Sequence, residues 1–132
     1  MTVRALNVPI AVAGGLYLAT AAIHALVGGP EVNAPVQASD LDPLVRAVSA
    51  VVWHALTALF IVLGVALLWT ARRVSVALVW VVLAVSVAFV GLFLGVGVVA
   101  LGSVWPMPQW VLFGGIAGVL GWGVRVCSDG RF

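Results

Sequence analysis

Lysine is absent from this sequence, and only one cysteine, one tyrosine and two histidines occur among its 132 residues. Charged side chains make up 8% of the chain, where a soluble domain carries about 25%. Six arginines and four acids, Glu31, Asp40, Asp42 and Asp129, cannot cover a water-facing surface. The lone Cys127 excludes an intrachain disulfide and any multi-cysteine metal site, and it reads as an inert thiol. A net charge of +2, scattered along the chain, excludes nucleic-acid binding, which needs a basic stripe on one face. No acid lies at the middle of an apolar run, which argues against a proton-coupled carrier.

What fills the chain is hydrocarbon: 64% of the residues are apolar. Uncharged stretches cover 5–30, 47–71 and 74–124. A spanning helix needs about 20 residues, so the third stretch is long enough for two. It is interrupted at Pro106 and Pro108, which cannot both sit inside a helix because each removes a donor and crowds the preceding turn. The first stretch follows Arg4 and contains Ala19-Thr20-Ala21, which mimics a signal-peptide cleavage site. Its uncharged run exceeds the usual core of about 7–15 residues, so it reads as a retained helix.

The fold class expected is therefore all-α: a four-transmembrane-helix, up-down-up-down bundle forming a single membrane domain over 1–132. Its helices fall at about 7–28, 43–71, 74–101 and 108–126. Pro9 suits a first turn, Asp42-Pro43 reads as a cap followed by a first-turn proline, and Pro108 opens the last helix. Gly28-Gly29-Pro30 reads as the end of the first helix, leaving an outer loop at 29–42. With four alternating spans, Arg4, Arg72, Arg73, Arg125 and Arg131 share one side and Arg46 alone takes the other. The positive-inside rule then puts both termini in the cytoplasm and the protein in the cell's inner membrane, with the lipid bilayer as its first partner. Trp105 and Trp110 mark the outer interface, Trp69 and Trp122 the inner one.

The third and fourth helices carry Gly91-x-x-x-Gly95 and Gly114-x-x-x-Gly118, the latter extended by Gly121 and Gly123. Small residues at this spacing let helices approach closely. Packing within the chain is the first expectation, and a homo-oligomer or a larger membrane complex through these glycine-rich helices is the second.

Polar side chains concentrate instead in the first two helices. Tyr17, Thr20 and His24 share one face at i, i+3 and i+7. His54 and Thr57 lie on the second helix, and Arg46 stands two turns above them. Between the helices come Glu31, Asp40 and Asp42. Arg46 is expected to reach headgroup phosphate, or to pair with Glu31, Asp40 or Asp42. Ionisable residues in spans commonly face a bundle interior or a wet cavity. This asymmetry predicts an outward-facing polar site between the first two helices, built from Tyr17, Thr20, His24, Glu31, Arg46, His54 and Thr57.

Several uses of such a site compete. The plainest is structural, with each histidine in an interhelical hydrogen bond. His24, His54 and Glu31 could ligate a metal ion with one position open, and the two histidines could hold a haem from both sides. A small organic ligand would use Arg46 or the histidines to grip an anionic or quinone-like head. The function these patterns predict is a small inner-membrane protein binding a metal, cofactor or small ligand. The alternatives are a non-catalytic accessory subunit of a larger complex, and a small enzyme using a histidine as base on a lipid or quinone. Helix one lacks the embedded glutamate of small multidrug carriers, and no cysteine pair supports thiol–quinone exchange.

Overall fold

A computed structural model describes residues 6–128, with side chains through 126. Every regular element in it is helical: α1 (Val8–Ile23), a π-helical stretch (His24–Asn33), α2 (Ala34–Gln37), α3 (Pro43–Thr70), α4 (Val76–Leu101) and α5 (Gln109–Ser128). Four helices are long and apolar enough to cross a membrane, the first being the continuous run Val8–Gln37. Their bounds match the expected spans within a few residues, apart from the end of the first. Arg4, Asp129, Arg131 and the Cys127 thiol lie outside the described residues.

The first helix does not stop at Gly28-Gly29-Pro30. It widens into a π-helix there and continues to Gln37, so the connection between the first two spans shrinks from 29–42 to 38–42. Proline lacks an N–H and its ring collides with the carbonyl four residues back. Winding to a five-residue repeat relieves that collision, and the Ala34 N–H bonds to Gly29 O in this register. In hydrocarbon a helix cannot leave backbone groups unpaired, so rewinding is preferred to breaking.

The chain divides into two compact units, one of residues 14–66 and one of residues 1–13 with 67–132. In the 14–66 unit, α1 with its π extension runs antiparallel to α3. Tyr17 meets Phe60, His24 meets Trp53, and Gly64 lies against Gly14. A Cβ on Gly64 would sit 2.9 Å from Gly14 O, so the backbones touch where side chains are smallest. At the other end Asp42 caps α3, the Leu44 N–H donating to its carboxylate at 2.8 Å.

In the other unit, α4 and α5 form a second antiparallel pair, with Phe113 stacked on Phe89 and Phe93. Ser75 caps the start of α4. Its end is closed by Gly102 in the left-handed conformation, φ 65°, with the Ser103 N–H reaching back to Gly97 O. The start of α1 is held in this unit by Asn7, which is fully buried. Its Oδ1 accepts from the Ile10 N–H, its Nδ2 donates to Gly123 O at 3.2 Å, and its backbone N–H donates to Ala71 O. The side chain thus caps α1 and ties it to α5, while the backbone N–H ties it to the residue that follows α3.

The glycine motifs do not pack as expected. Added Cβ atoms at Gly91, Gly95, Gly118 and Gly121 would meet nothing within 4 Å, and one at Gly114 only brushes Val90. Spacing put these residues on common helix faces, but Phe89, Phe93 and Phe113 make the α4–α5 contact. Of the expected glycines Gly123 alone packs closely, a Cβ there lying 2.9 Å from Ile10, and the other close approaches are at Gly28, Gly64 and Gly97.

Candidate functional site

The polar residues of the 14–66 unit separate into two groups. The first centres on His24, which is half-buried. Its imidazole lies over the Trp53 indole, ring centroids 4.0 Å apart and planes 19° apart, and meets the edge of Phe60 at 5.7 Å. The tip of the indole rests where a side chain on Gly28 would be, 3.1 Å from its Cβ position, so this glycine makes the room for Trp53. His24 Nε2 is 3.2 Å from Trp53 O. A carbonyl only accepts, so Nε2 carries the proton and neutral His24 keeps Nδ1 as its acceptor.

The neighbouring hydroxyls are turned to their own helices. Thr20 Oγ1 donates to Leu16 O at 2.7 Å, and Thr57 Oγ1 donates to Trp53 O at 3.3 Å. Tyr17 is fully buried against Phe60. These three expected site residues sit in the helix–helix seam.

His54 does not join His24. It follows Trp53 by one residue, about 100° around the helix, and is exposed while the Trp53 ring faces His24. Glu31 is exposed on the π-helical stretch. Among the described residues no three His, Cys, Asp or Glu side chains come close enough to hold a metal. The expected ligand set of His24, His54 and Glu31 is therefore not assembled. His24 and His54 share no ring contact or hydrogen bond: His24 stacks on Trp53 and His54 is exposed.

The second group centres on Arg46. It forms none of the expected ion pairs with Glu31, Asp40 or Asp42. Asp42 caps α3, and Glu31 and Asp40 are exposed. Arg46 Nη1 instead donates to Gln37 O at 3.0 Å, while Gln37 Nε2 donates to Arg46 O at 3.1 Å and to Asn33 Oδ1 at 3.3 Å. Gln37 ends the first membrane helix, whose last carbonyls carry partial negative charge, so a cation there is favourable. The remaining guanidinium donor along its shaft, Nε, is buried and has no hydrogen-bond partner. A buried donor left so costs about 1–3 kcal/mol.

Gln37, Trp53 and Gly28 are the contributors that residue type and spacing did not single out. Gln37 falls in the expected 29–42 loop, whereas the structure places it at the end of the first membrane helix. For Trp53 a signal existed, since a tryptophan this far from both interfaces needs a partner. Comparison of the chain with protein-family models, curated proteins and solved structures finds no match.

Proposed function

We propose that this is a small inner-membrane protein that binds an oxyanion, a phosphate or carboxylate group, at the polar end of its 14–66 unit, with Arg46 as anchor. The observation behind this reading is the Arg46 guanidinium: no carboxylate neutralises it among the described residues, and its Nε is buried without a partner. Nε and Nη2 form the edge of the fork that matches the two oxygens of a phosphate or carboxylate, and an oxyanion bound there displaces the protein atoms that now cover Nε. Nη1, bonded to Gln37 O, holds that edge in place.

The proposed topology is an up-down-up-down bundle with both termini cytoplasmic, from the one-sided arginines. Arg46 then stands at the outer surface, three residues into α3, at the depth of lipid headgroups. The oxyanion could belong to a phospholipid head or to a free small molecule. Native mass spectrometry of protein purified in zwitterionic detergent distinguishes them by mass. Wild type should retain an acidic lipid or a small anion, Arg46→Lys should retain part of it, and Arg46→Gln none. A wild-type protein with no such adduct, or an adduct indifferent to Arg46→Gln, contradicts the proposal.

A further inference from the structure

The stretch His24–Asn33 is wound as a π-helix, with i→i+5 hydrogen bonds, a winding that is rare and mostly confined to single turns. Two prolines act on its second half: Pro30 lies inside it and Pro35 two residues beyond its end. In an α-helix the Pro30 ring would press on the Leu26 carbonyl and the Pro35 ring on the Glu31 carbonyl, each four residues back. The prolines stand five residues apart, the interval of the wider winding. Their missing N–H groups therefore fall in one row of that ladder and leave its other rows whole.

Winding decides which side chains share a face. An α-helix turns about 100° per residue, and the wider winding, with about 4.4 residues per turn, about 82°. Counted from His24 along the π-helical stretch and then along α2, Asn33 lies about 20° away and Gln37 about 60° away. An unbroken α-helix would put Asn33 about 180° and Gln37 about 140° from His24. Burial follows the wider winding. Gly28, Gly29, Asn33, Val36 and Gln37 are half-buried, and all fall within about 60° of His24. Pro30, Glu31 and Pro35 are exposed and fall more than about 120° away. Both polar clamps onto α3 thus lie on one face, His24 on Trp53 and Gln37 on Arg46.

We infer that Pro30 and Pro35 are positioning residues for the Arg46 site: they hold the first membrane helix in the register that carries Gln37 to Arg46. One end of the stretch is fixed on α3 by the His24–Trp53 stack, with Gly28 making room for the indole. The other end is fixed by the bonds that join Asn33, Gln37 and Arg46. The π-helical stretch turns the chain about as far as an α-helix about two residues shorter. Rewinding to an α-helix from His24 onward therefore overshoots by about two residues and swings Asn33 and Gln37 away from α3. Arg46 Nη1 then loses the Gln37 carbonyl, the bond that aims its fork. The register stands whether or not Arg46 binds an oxyanion; only its effect on such an anion rests on that reading.

The test compares two full-length variants with the parent protein, all carrying Cys127→Ser. In the first, Pro30→Ala with Pro35→Ala, the helix is free to rewind. In the second, Gly29 and Pro30 are deleted and Pro35→Ala is kept. An ordinary α-helix of that length returns Asn33 and Gln37 to within about 20° of His24. Each protein receives a single cysteine, Glu31→Cys or Asn33→Cys, and its rate of reaction with a thiol reagent is measured in detergent. Asn33→Cys removes one bond from Gln37 and leaves the two between Gln37 and Arg46. In the parent, Glu31→Cys should react faster than Asn33→Cys. The order should reverse in the first variant and return in the shortened one. A first variant that keeps the parent order, or a shortened variant that keeps the reversed one, overturns the inference. Equal rates at both positions in both variants, the sign of a helix merely disrupted, overturn it as well. On the same proteins without the added cysteine, the rise in melting temperature with phosphate or acidic phospholipid should shrink in the first variant and recover in the shortened one. A parent protein with no rise counts against the oxyanion reading alone, and the order of thiol rates still decides the register.

Discussion

His24 touches Trp53 twice, its ring stacked on the indole at 4.0 Å and its Nε2 3.2 Å from the same residue's carbonyl oxygen. One histidine therefore joins the π-helical stretch to α3 by packing and by hydrogen bonding at once. The aromatic contact contributes about 0.5–1.5 kcal/mol and an interhelical hydrogen bond in a membrane about 0.6 kcal/mol on average. His24→Ala should lower stability by about 1–3 kcal/mol. His24→Phe, which keeps a ring and loses the bond, should recover part of that in thermal unfolding. His54→Ala should leave the stability of the isolated monomer unchanged. Since the two histidines share no contact, their effects should add in the double variant. A double variant no worse than His24→Ala, combined with a destabilised His54→Ala monomer, would show them to be one unit.

Steric room separates the glycines that matter from those that do not. Gly64→Ala should push on Leu18 and the Gly14 carbonyl and destabilise by about 1–3 kcal/mol, while Gly28→Ala should cost less, because the Trp53 ring has to give only a few tenths of an ångström. Gly95→Leu and Gly118→Leu point into open space and should shift the monomer's melting temperature little. The reverse ranking in a detergent melt would mean that α4 and α5 pack through their glycines.

Asn7 makes a third test. Asn7→Ala removes a helix cap, about 0.5–2 kcal/mol, and leaves the buried Gly123 carbonyl without its donor. A loss of about 2–3 kcal/mol is expected. Asn7→Asp keeps a cap oxygen but buries a carboxylate against the Gly123 carbonyl, so it should destabilise at least as much as Asn7→Ala. An Asn7→Ala protein that melts like wild type would contradict the role of this side chain as cap and as tie to α5.

Four spans and most of their ends were legible because length, proline position and capping residues act locally. Asp42 before Pro43 is a cap in the sequence and in the structure. Gly28-Gly29-Pro30 misled because the same residues that stop a helix in water are rewound into a π-helix in a chain that cannot expose its backbone. The polar asymmetry of the first two spans was visible, but not its partition. Trp53 and His54 are adjacent in sequence, and 100° of helix rotation sends one to His24 and the other outward. Likewise Arg46 had three carboxylates within reach by sequence. Its actual partner, Gln37, became available only because the first helix extends to it.

The proposed topology predicts labelling from opposite sides. In a Cys127→Ser background, Asp40→Cys should react with an impermeant thiol reagent on intact cells. Arg73→Cys should react only after permeabilisation. The opposite pattern would invert the protein and put Arg46 at the cytoplasmic face.

The most direct test of the oxyanion site is a melting-temperature titration in zwitterionic detergent, with a short-chain acidic phospholipid in one arm and inorganic phosphate in the other. A ligand that binds only the folded protein adds about 2.7 kcal/mol at 100 times its Kd. Wild type should rise with at least one of the two, and Arg46→Gln should stay flat in both arms. A wild-type curve flat in both arms, or an Arg46→Gln curve that rises as far as wild type, would contradict the assignment of Arg46 as the anchor.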